Sequence, residues 1–512
     1  MNSSFFVVFY YLFLIGVACW FHSSVVTISC LALSIITEIS RNTKRSQNST
    51  SYRLPPGPNG LPTLGNLHML GSLPHQNLHK LSLKYGPIMS IKLGRVPLIV
   101  FSSPEMAELV LKTHDISFAS RPKRQGMGFT PYGAYWRYVR KICSVHQLNN
   151  TKIVSFHSIR EKESSILVES IRLLSMSGEV EVDLTEKLGR LVEDISHIMF
   201  FGYKDGESFI PILHEVMRIL GSFDVADFIP YVRSFDLQGL DHRTKEVSKR
   251  IDKFITRSID QHVEENVKQQ KHHKDIIDIL FSLMSEDNDP TAQHEDEKLS
   301  NSDIKAIVLD LLIGGIDTSV STIGWAFTEL LRNPLVMKRL QKELETVVGL
   351  DRLVQEADLV KLEYLDMVIQ ETMRLHPPAP LLVPHEAMED VKLNDYDIPK
   401  GSWLMVNVLG MARNQKVWSP NAEEFYPERF VGVDTDLKGN DFKLLPFGSG
   451  RRKCPGMQMG ITAVRMIVAQ FVHCFDWKLP VGMSIGDLDM KENPVLTIPR
   501  VEHLIAVPKY RL

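Results

Sequence analysis

One short segment near the C-terminus constrains this chain of 512 residues more than any other. Residues 446–456 read PFGSGRRKCPG, so that Cys454 stands in a glycine-rich, basic loop that runs into an apolar pattern of helical spacing. A thiolate ligand needs a stabilised anion, and a helix N-terminus, nearby arginines and a metal ion all lower a cysteine pKa. The loop glycines allow the backbone N–H groups to approach the sulfur. The segment therefore predicts one thiolate presented to a metal centre, with Pro455 at the first position of the next helix.

This loop resembles the haem-binding segment of the cytochrome P450 superfamily, Phe-x-x-Gly-x-Arg-x-Cys-x-Gly. The five fixed positions match at Phe447, Gly450, Arg452, Cys454 and Gly456. The resemblance implies a mainly α fold with a small β region, a haem b cofactor and Cys454 as the iron ligand. It also implies that Arg452 pairs with a haem propionate and that Phe447 packs near the sulfur. A basic turn with a structural cysteine is the alternative, which the joint match disfavours.

Other segments match the same superfamily in the same order along the chain. Residues 136–141, WRYVRK, resemble its Trp-x-x-x-Arg helix, in which Trp136 and Arg140 contact haem propionates from one helical face. Arg121 and His385 match positions that often do likewise, although a structural role for His385 is an equal alternative. The residues that the resemblance assigns to haem binding are Cys454, Arg452, Phe447, Gly448, Trp136, Arg140, Arg121 and His385.

Residues 314–319, GGIDTS, interrupt a long apolar pattern of helical spacing. Each glycine inside a helix costs about 1 kcal/mol relative to alanine, which favours a functional reason for the interruption. The segment resembles the Gly-x-Asp/Glu-Thr pattern of the distal helix of P450 enzymes. The resemblance implies that Asp317 and Thr318 are catalytic and deliver protons during oxygen activation. A helix with a polar notch is the alternative.

A Glu-x-x-Arg pattern at Glu371 and Arg374 means little alone, because opposite charges three residues apart are common on helices. Here it precedes a Pro-Glu-Arg-Phe segment at 427–430, in the order that the superfamily shows. The resemblance implies a buried network of Glu371, Arg374 and Arg429 that holds the fold beside the cysteine loop. Breaking one partner of such a network costs about 3–5 kcal/mol. We interpret the network as structural.

The N-terminal segment differs from the rest of the chain. From Phe5 to Ile36 it has no Asp, Glu, Lys or Arg, and a membrane helix needs about 20 mostly apolar residues. Arg41, Lys44 and Arg45 follow this segment, which by the positive-inside rule leaves the remainder cytosolic. We predict a membrane anchor over 1–45, a proline-rich hinge over 46–62 and a haem-thiolate catalytic domain over 63–512. A cleaved signal peptide is the alternative, and the resemblance implies a single-pass protein of the endoplasmic reticulum membrane.

Local patterns predict several other elements. Residues 88–101 alternate around a Gly-Arg pair, which predicts a hairpin, and Ser102 or Ser103 is a plausible N-cap for a helix that starts there. The polar tract from 264 to 302 is predicted as a solvated loop. The histidines in this tract, at 272, 273 and 294, lack spaced carboxylate or cysteine partners and predict no metal site. The last fifteen residues predict short strands of a small sheet.

Composition excludes some functions. The net charge of −3 and pI of about 6.7 give no basic field for nucleic acid, and five cysteines, two of them in the N-terminal apolar segment, form no disulfide framework. No strand–GxGxxG–helix pattern is present, so the sequence offers no nicotinamide or flavin site of its own. Electrons must therefore come from outside. The resemblance implies NADPH-cytochrome P450 reductase as the donor, and cytochrome b5 as a possible second one.

The resemblance is strongest to plant microsomal enzymes of secondary metabolism. It implies a monooxygenase that inserts one atom of O2 into a small hydrophobic terpenoid or phenolic molecule. The loop between Arg121 and Phe129, which roofs the pocket in such enzymes, is shorter here. The alternatives are a haem-thiolate isomerase or dehydratase, which the retained Asp317 and Thr318 disfavour, and a catalytically silent haem- or ligand-binding membrane protein. The expected pocket lining is Phe129, Ile313, Gly314, Leu382, Val383 and Leu496.

Overall fold

Helices make up most of the structure, which confirms the mainly α fold that the sequence predicts. The computed structural model describes residues 52–122, 127–269, 275–285, 299–433 and 435–512. Leu54–Leu512 form one compact unit. The α-helices are α1 (Pro74–Tyr85), α2 (Pro104–Glu108), α3 (Ala134–His146), α4 (Asn150–Ser155), α5 (His157–Met176), α6 (Leu184–Phe201), α7 (Ile210–Gly221), α8 (Val225–Phe228), α9 (Leu240–Gln269), α10 (Ile276–Ser285), α11 (Asn301–Arg332), α12 (Pro334–Val348), α13 (Glu363–Leu375), α14 (Val408–Ala412), α15 (Gln415–Trp418) and α16 (Met457–Cys474).

Three small sheets accompany the helices. Their strands are β1 (Ile88–Leu93), β2 (Val96–Phe101), β3 (Val182–Asp183), β4 (His385–Glu386), β5 (Val391–Leu393), β6 (Tyr396–Ile398), β7 (Trp403–Val406), β8 (Phe475–Lys478) and β9 (Ile505–Tyr510). The predicted hairpin is confirmed, since β1 and β2 pair antiparallel within a sheet of order β1-β2-β7-β4. Short strands are predicted over the last fifteen residues, and the structure has one named strand there, β9, which lies between β3 and β8 in a small sheet.

The longest helix, α11, runs through the core. Its N-terminus is a capping box in which Ser300 and Asp303 each accept the backbone N–H of the other. Among the described residues, α11 is the one helix long and apolar enough to cross a membrane by length and composition, yet 56% of its most apolar window is buried. It packs against α6, α13 and α16. We therefore assign α11 to the protein core, and the polar notch at 314–319 lies inside an unbroken helix.

The expected loop from 264 to 302 is partly wrong. Helix α9 continues to Gln269, and α10 occupies part of the tract because Ile276, Ile277 and Leu280 supply a fully buried apolar stripe. Asp275 begins α10 by accepting the N–H of Ile277 over 3.1 Å. Charged residues on both sides of this short stripe hide it in the sequence pattern. His272, His273 and His294 lie outside the described residues.

Two other expectations concern the ends of elements. Helix α16 begins at Met457 with Gly456 as its N-cap, so Pro455 precedes the helix and its expected place as the first helical residue is wrong. Ser103 is confirmed as an N-cap, because its hydroxyl accepts the N–H of Met106 over 3.3 Å. The predicted anchor over 1–45 lies outside the described residues.

The predicted ion network beside the cysteine loop is present. Both carboxylate oxygens of Glu371 accept from Arg374, over 2.7 and 2.9 Å, and one of them accepts from Arg429 Nε over 2.8 Å. The side chains of Glu371 and Arg374 are fully buried. Arg374 also donates to the carbonyls of Ala412 and Ala422. The network therefore ties α13 to the segment that leads to the cysteine loop.

Candidate functional site

The loop that carries Cys454 is held in a tight form by its own backbone. The N–H of Cys454 donates to the carbonyl of Phe447 over 2.9 Å, and Gly450–Arg452 form one 3₁₀ turn between them. Gly448 has φ of 66°, and Gly450 has φ of 68°. These values lie in the left-handed region, where a residue with a Cβ is strained. The glycines of the motif are therefore required by the turn that presents the cysteine.

Asp115 anchors this loop from outside. Its carboxylate accepts the backbone N–H of Arg451 over 3.2 Å and pairs with Arg451 Nε over 3.2 Å. A Cβ on Gly450 would lie 2.2 Å from the carbonyl oxygen of Leu111, so the loop packs directly on the π-helical turn Leu109–Thr113. The sequence analysis missed Asp115, because only the fold brings it to a loop more than 300 residues away.

Three arginines converge beside the loop. Arg452 donates through Nε to the carbonyl of Ala119 over 2.6 Å, and Arg140 donates to the carbonyl of Lys453 over 2.6 Å. Burial, together with the positive charge of Arg140, lowers the pKa of Arg452 to about 10. Burial and the charges of Arg452 and Arg140 likewise lower the pKa of Arg121 well below its usual value. The cluster therefore has excess positive charge.

Trp136 packs within this arginine cluster. The guanidinium carbons of Arg452 and Arg140 lie 4.2 and 5.6 Å from the centre of its rings. The indole N–H donates to the carbonyl of Met127 over 3.2 Å. Trp136 and Arg140 lie on one face of α3, as the sequence predicts. In this structure, however, the indole N–H is bonded to the backbone at Met127, in the loop between Arg121 and Phe129 that we call the roof loop.

The polar notch of α11 contributes Thr318 and Asp317. The Thr318 hydroxyl donates to the carbonyl of Gly314 over 2.7 Å, one helical turn earlier. The Asp317 carboxylate accepts a hydrogen bond from the hydroxyl of Thr497, and both side chains are buried. Burial raises the pKa of Asp317 above its usual value, while the Thr497 bond and the nearby His214 act in the opposite direction. Thr497 was not predicted from the sequence, because it lies in a C-terminal loop without a recognisable motif.

A small cavity lies between α11, the distal helix, and the cysteine loop. Its volume is about 30 Å³, and both Thr318 and Phe447 line it. The other lining residues come from α11, α13, α16 and the segments beside the cysteine loop. The structure thus brings together a hydroxyl from α11 and a residue of the cysteine loop that are 129 positions apart in the sequence.

A second, larger cavity has a volume of about 110 Å³. Three of the six residues expected to line the pocket surround it, namely Phe129, Leu382 and Leu496. Ile313, Gly314 and Val383 are not among its lining residues, and the carbonyl of Val383 instead accepts a hydrogen bond from Arg121.

Leu382 connects this cavity to the cysteine loop. It has φ of 52°, an unusual value for a leucine that indicates a locally strained backbone. A Cβ on Gly448 would lie 3.7 Å from Cδ1 of Leu382. Arg121 donates to the carbonyl of Pro384 over 2.8 Å, which helps to hold this wall segment. Arg121 therefore connects the arginine cluster to the segment that forms the cavity wall.

Similarity to known proteins decides the family. The family model for cytochrome P450 matches residues 55–505. The chain belongs to the cytochrome P450 family. Cytochrome P450 CYP736A12 of Panax ginseng is 48% identical to it over 475 residues, which cover 90% of this chain and 94% of that protein. Premnaspirodiene oxygenase of Hyoscyamus muticus is 40% identical over 482 residues, or 90% and 94% of the two chains. Cytochrome P450 71B10 of Arabidopsis thaliana is 39% identical over 510 residues, or 96% and 98%.

This P450 is therefore a monooxygenase with haem as its cofactor. The arginine cluster fits the two propionates of haem b. The Nε of Arg121 and the Nη1 of Arg452 are buried and have no hydrogen-bond partner among the described residues. Buried N–H groups of this kind are rare unless a partner satisfies them, and carboxylates are the partners that arginine prefers.

The surroundings of Cys454 fit a thiolate ligand of this P450. Burial raises the pKa of the Cys454 thiol above its usual value, whereas the N–H of Gly456 and the charges of Arg140 and Lys453 lower it. A buried thiolate needs a cation to offset the desolvation of its charge. Haem iron would supply that charge, so the donor set and its environment are consistent with the cofactor.

His385 lies at the edge of the same region. Its Nδ1 bonds to the carbonyl of Phe118 over 2.7 Å, and the side chain is buried. Burial and the charges of Arg121 and Arg452 lower the pKa of His385 to about 3. The ring is therefore neutral at physiological pH, and its Nδ1 bond to the carbonyl of Phe118 gives it a structural role.

Proposed function

We propose that this P450 hydroxylates, or otherwise oxidises, a small hydrophobic plant metabolite of the terpenoid or phenolic class. The observation that carries the proposal is that Thr318 and Phe447 of the cysteine loop line one small cavity. A second, mainly apolar cavity is connected to that loop through Leu382. In the overall reaction one C–H bond, O2, two electrons and two protons give one C–OH bond and one water. The haem, when bound, supplies the iron centre at which O2 is activated.

We assign the iron-ligating atom to Sγ of Cys454. The loop fixes this atom through the Cys454–Phe447 backbone bond and through the anchor at Asp115. Arg452, Arg140 and Arg121 would hold the propionates of bound haem, and the Trp136 rings pack against the first two of these side chains. We also include Phe447, Gly448 and His385 among the residues that would contact the cofactor, as the resemblance implies.

Asp317 and Thr318 hold the protons that the reaction consumes. The Thr318 hydroxyl lines the small cavity and carries a proton on Oγ1. Burial raises the pKa of Asp317, which favours the protonated carboxyl group that can donate a proton. The Thr497 hydroxyl orients the Asp317 carboxyl by donating a hydrogen bond to it.

The substrate class is supported by the cavity and by the relatives. Aromatic and aliphatic side chains, among them Phe129, Phe223 and Leu496, make most of the wall of the larger cavity. One relative at 40% identity bears the name premnaspirodiene oxygenase. An apolar terpenoid hydrocarbon is therefore our first choice of substrate.

The overall reaction is tested by incubating the purified protein with reductase, NADPH, ¹⁸O2 and a panel of terpenoid and phenolic compounds that includes premnaspirodiene. We expect a product that contains one ¹⁸O atom and forms only when NADPH is present. Product formed without NADPH and without ¹⁸O would favour an isomerase or dehydratase. Full haem content without turnover of any compound would favour a silent binding protein.

Thr318→Ala is expected to uncouple NADPH oxidation from product formation, because it removes the hydroxyl beside the small cavity. The product formed per NADPH consumed should fall about a hundredfold, the lower end of the range that positioned proton donors contribute. The carbonyl spectrum of the reduced protein should be unchanged. The measurement is the ratio of product to NADPH in a reconstituted assay with a substrate from the panel.

Thr328→Ala is the matched control on the same helix. Its hydroxyl donates to the carbonyl of Gly324 over 2.8 Å, the same contact that Thr318 makes, but it does not line the cavity. Coupling in this variant should match the wild type. If Thr318→Ala also kept wild-type coupling, the proposed proton-delivery role would be wrong.

We further propose that residues 1–45 anchor the protein in the endoplasmic reticulum membrane, with the catalytic domain in the cytosol. Arg137 and Lys141 are exposed on α3, and Lys453 is partly exposed beside the cysteine. These cations suit an acidic electron donor such as NADPH-cytochrome P450 reductase, or cytochrome b5, since complementary charge speeds docking.

A further inference from the structure

Asp310 lies on α11 and contacts the roof loop. It precedes Thr318 by eight residues, or about 12 Å along the helix axis. Its Oδ2 accepts the backbone N–H of Gly128 over 3.1 Å, and the N–H of Met127 also bonds to the carboxylate. No motif in the sequence identified Asp310, and the functions assigned above do not use it.

The segment that Asp310 holds is fixed at further points. The indole of Trp136 donates to the carbonyl of Met127, and Arg452 donates to the carbonyl of Thr130 over 2.7 Å. Phe129 lies between these contacts and lines the larger cavity. Within the described part of the chain, the two bonds to Asp310 therefore attach this wall to the distal helix on the N-terminal side of Phe129.

We propose that Asp310 is a positioning residue that determines specificity by fixing the Phe129 wall of the cavity through the N–H groups of Met127 and Gly128. The proposal rests on the proposed function, because it takes this cavity as the substrate pocket. A carboxylate suits the role since its two oxygens can accept both N–H groups at once. When the wall is held in place beforehand, a bulky ligand does not have to order it on binding.

The environment of Asp310 is consistent with this role. Burial raises the pKa of Asp310 to about 7, while its bonds to Gly128 and Met127 lower it. Tyr135 and Cys143 face it from α3. Burying a carboxylate is unfavourable unless hydrogen bonds compensate for the lost hydration. Here both bonds come from N–H groups of the roof loop.

The test compares Asp310→Ala with the wild type in the full-length, haem-loaded protein. Hydrogen exchange at the amides of 127–129 should be about tenfold faster in the variant, the effect of losing a hydrogen bond to a charged group. Clotrimazole, a bulky azole, should bind about tenfold more weakly, and imidazole should bind unchanged. The carbonyl spectrum should match the wild type.

Asp252→Asn is the control. It neutralises an exposed acid on α9 that pairs with Lys305 of α11, the helix that carries Asp310. Exchange and azole binding should not change in this control. Asp310→Asn keeps the shape with one acceptor oxygen and should show a smaller rise in exchange; it carries the test if Asp310→Ala does not fold. Unchanged exchange at 127–129 in a folded variant would overturn the proposal. Loss of the carbonyl band in the wild type would instead overturn the proposed function and leave the exchange result intact.

Discussion

Cys454→Ala should abolish the red-shifted Soret band that a thiolate-ligated haem gives in its reduced carbonyl complex. The variant removes the sulfur, while the backbone bond from residue 454 to Phe447 can remain. Haem can then be held only by the arginine cluster and by packing, so monooxygenase activity should fall below detection. The measurement is the carbonyl difference spectrum together with the haem content per polypeptide.

Cys474→Ala is the matched control for this change. Cys474 is the last residue of α16, the helix that follows the cysteine loop, and its side chain is fully buried. Its replacement removes a cysteine sulfur from the end of the helix that follows the loop, away from the site, so the band should remain. A Cys454→Ala protein that kept the band at wild-type intensity would show that another group holds the iron.

Glu371→Gln is expected to prevent accumulation of folded, haem-loaded protein. It leaves the buried guanidinium of Arg374 and the largely buried one of Arg429 without their carboxylate. Removing one partner from a buried ion pair costs about 3–5 kcal/mol, which is a large share of the roughly 5–15 kcal/mol that holds a typical protein folded. The measurement is the thermal unfolding midpoint and the yield of haem-loaded protein.

The chain offers a control with the same geometry at the surface. Arg172 binds both oxygens of Glu169, over 2.7 Å each, and the two residues are three positions apart on α5, as Glu371 and Arg374 are on α13. Because Glu169 and Arg172 are exposed to solvent, Glu169→Gln should leave the midpoint nearly unchanged. Equal midpoints for Glu371→Gln and Glu169→Gln would mean that burial of the network contributes nothing.

Much of the site could be predicted because its residues are close in sequence. Gly448, Gly450 and Cys454 belong to one turn whose backbone angles require glycine, so the letters alone carry the geometry. Asp317 and Thr318 stand out for a similar reason, since polar residues inside an apolar helical pattern are unfavourable without a function. In both cases, residues close together in the sequence were sufficient to predict the site.

The missed contacts all depend on tertiary structure. Asp115, Asp310 and Thr497 are ordinary polar residues in sequence, and each gains its role from a partner more than 150 positions away. Helix α10 was missed for another reason, because the charges around it concealed a short buried stripe that only packing makes decisive. Long-range contacts and short buried helices are therefore what the sequence pattern left undetermined.

Electron paramagnetic resonance of the purified ferric protein tests the central claim most directly, because it identifies the type of protein atom that would bind the iron. We predict a low-spin signal typical of sulfur ligation, lost in Cys454→Ala and kept in Cys474→Ala. A signal typical of nitrogen ligation, or protein that contains no haem, would contradict the assignment of Cys454.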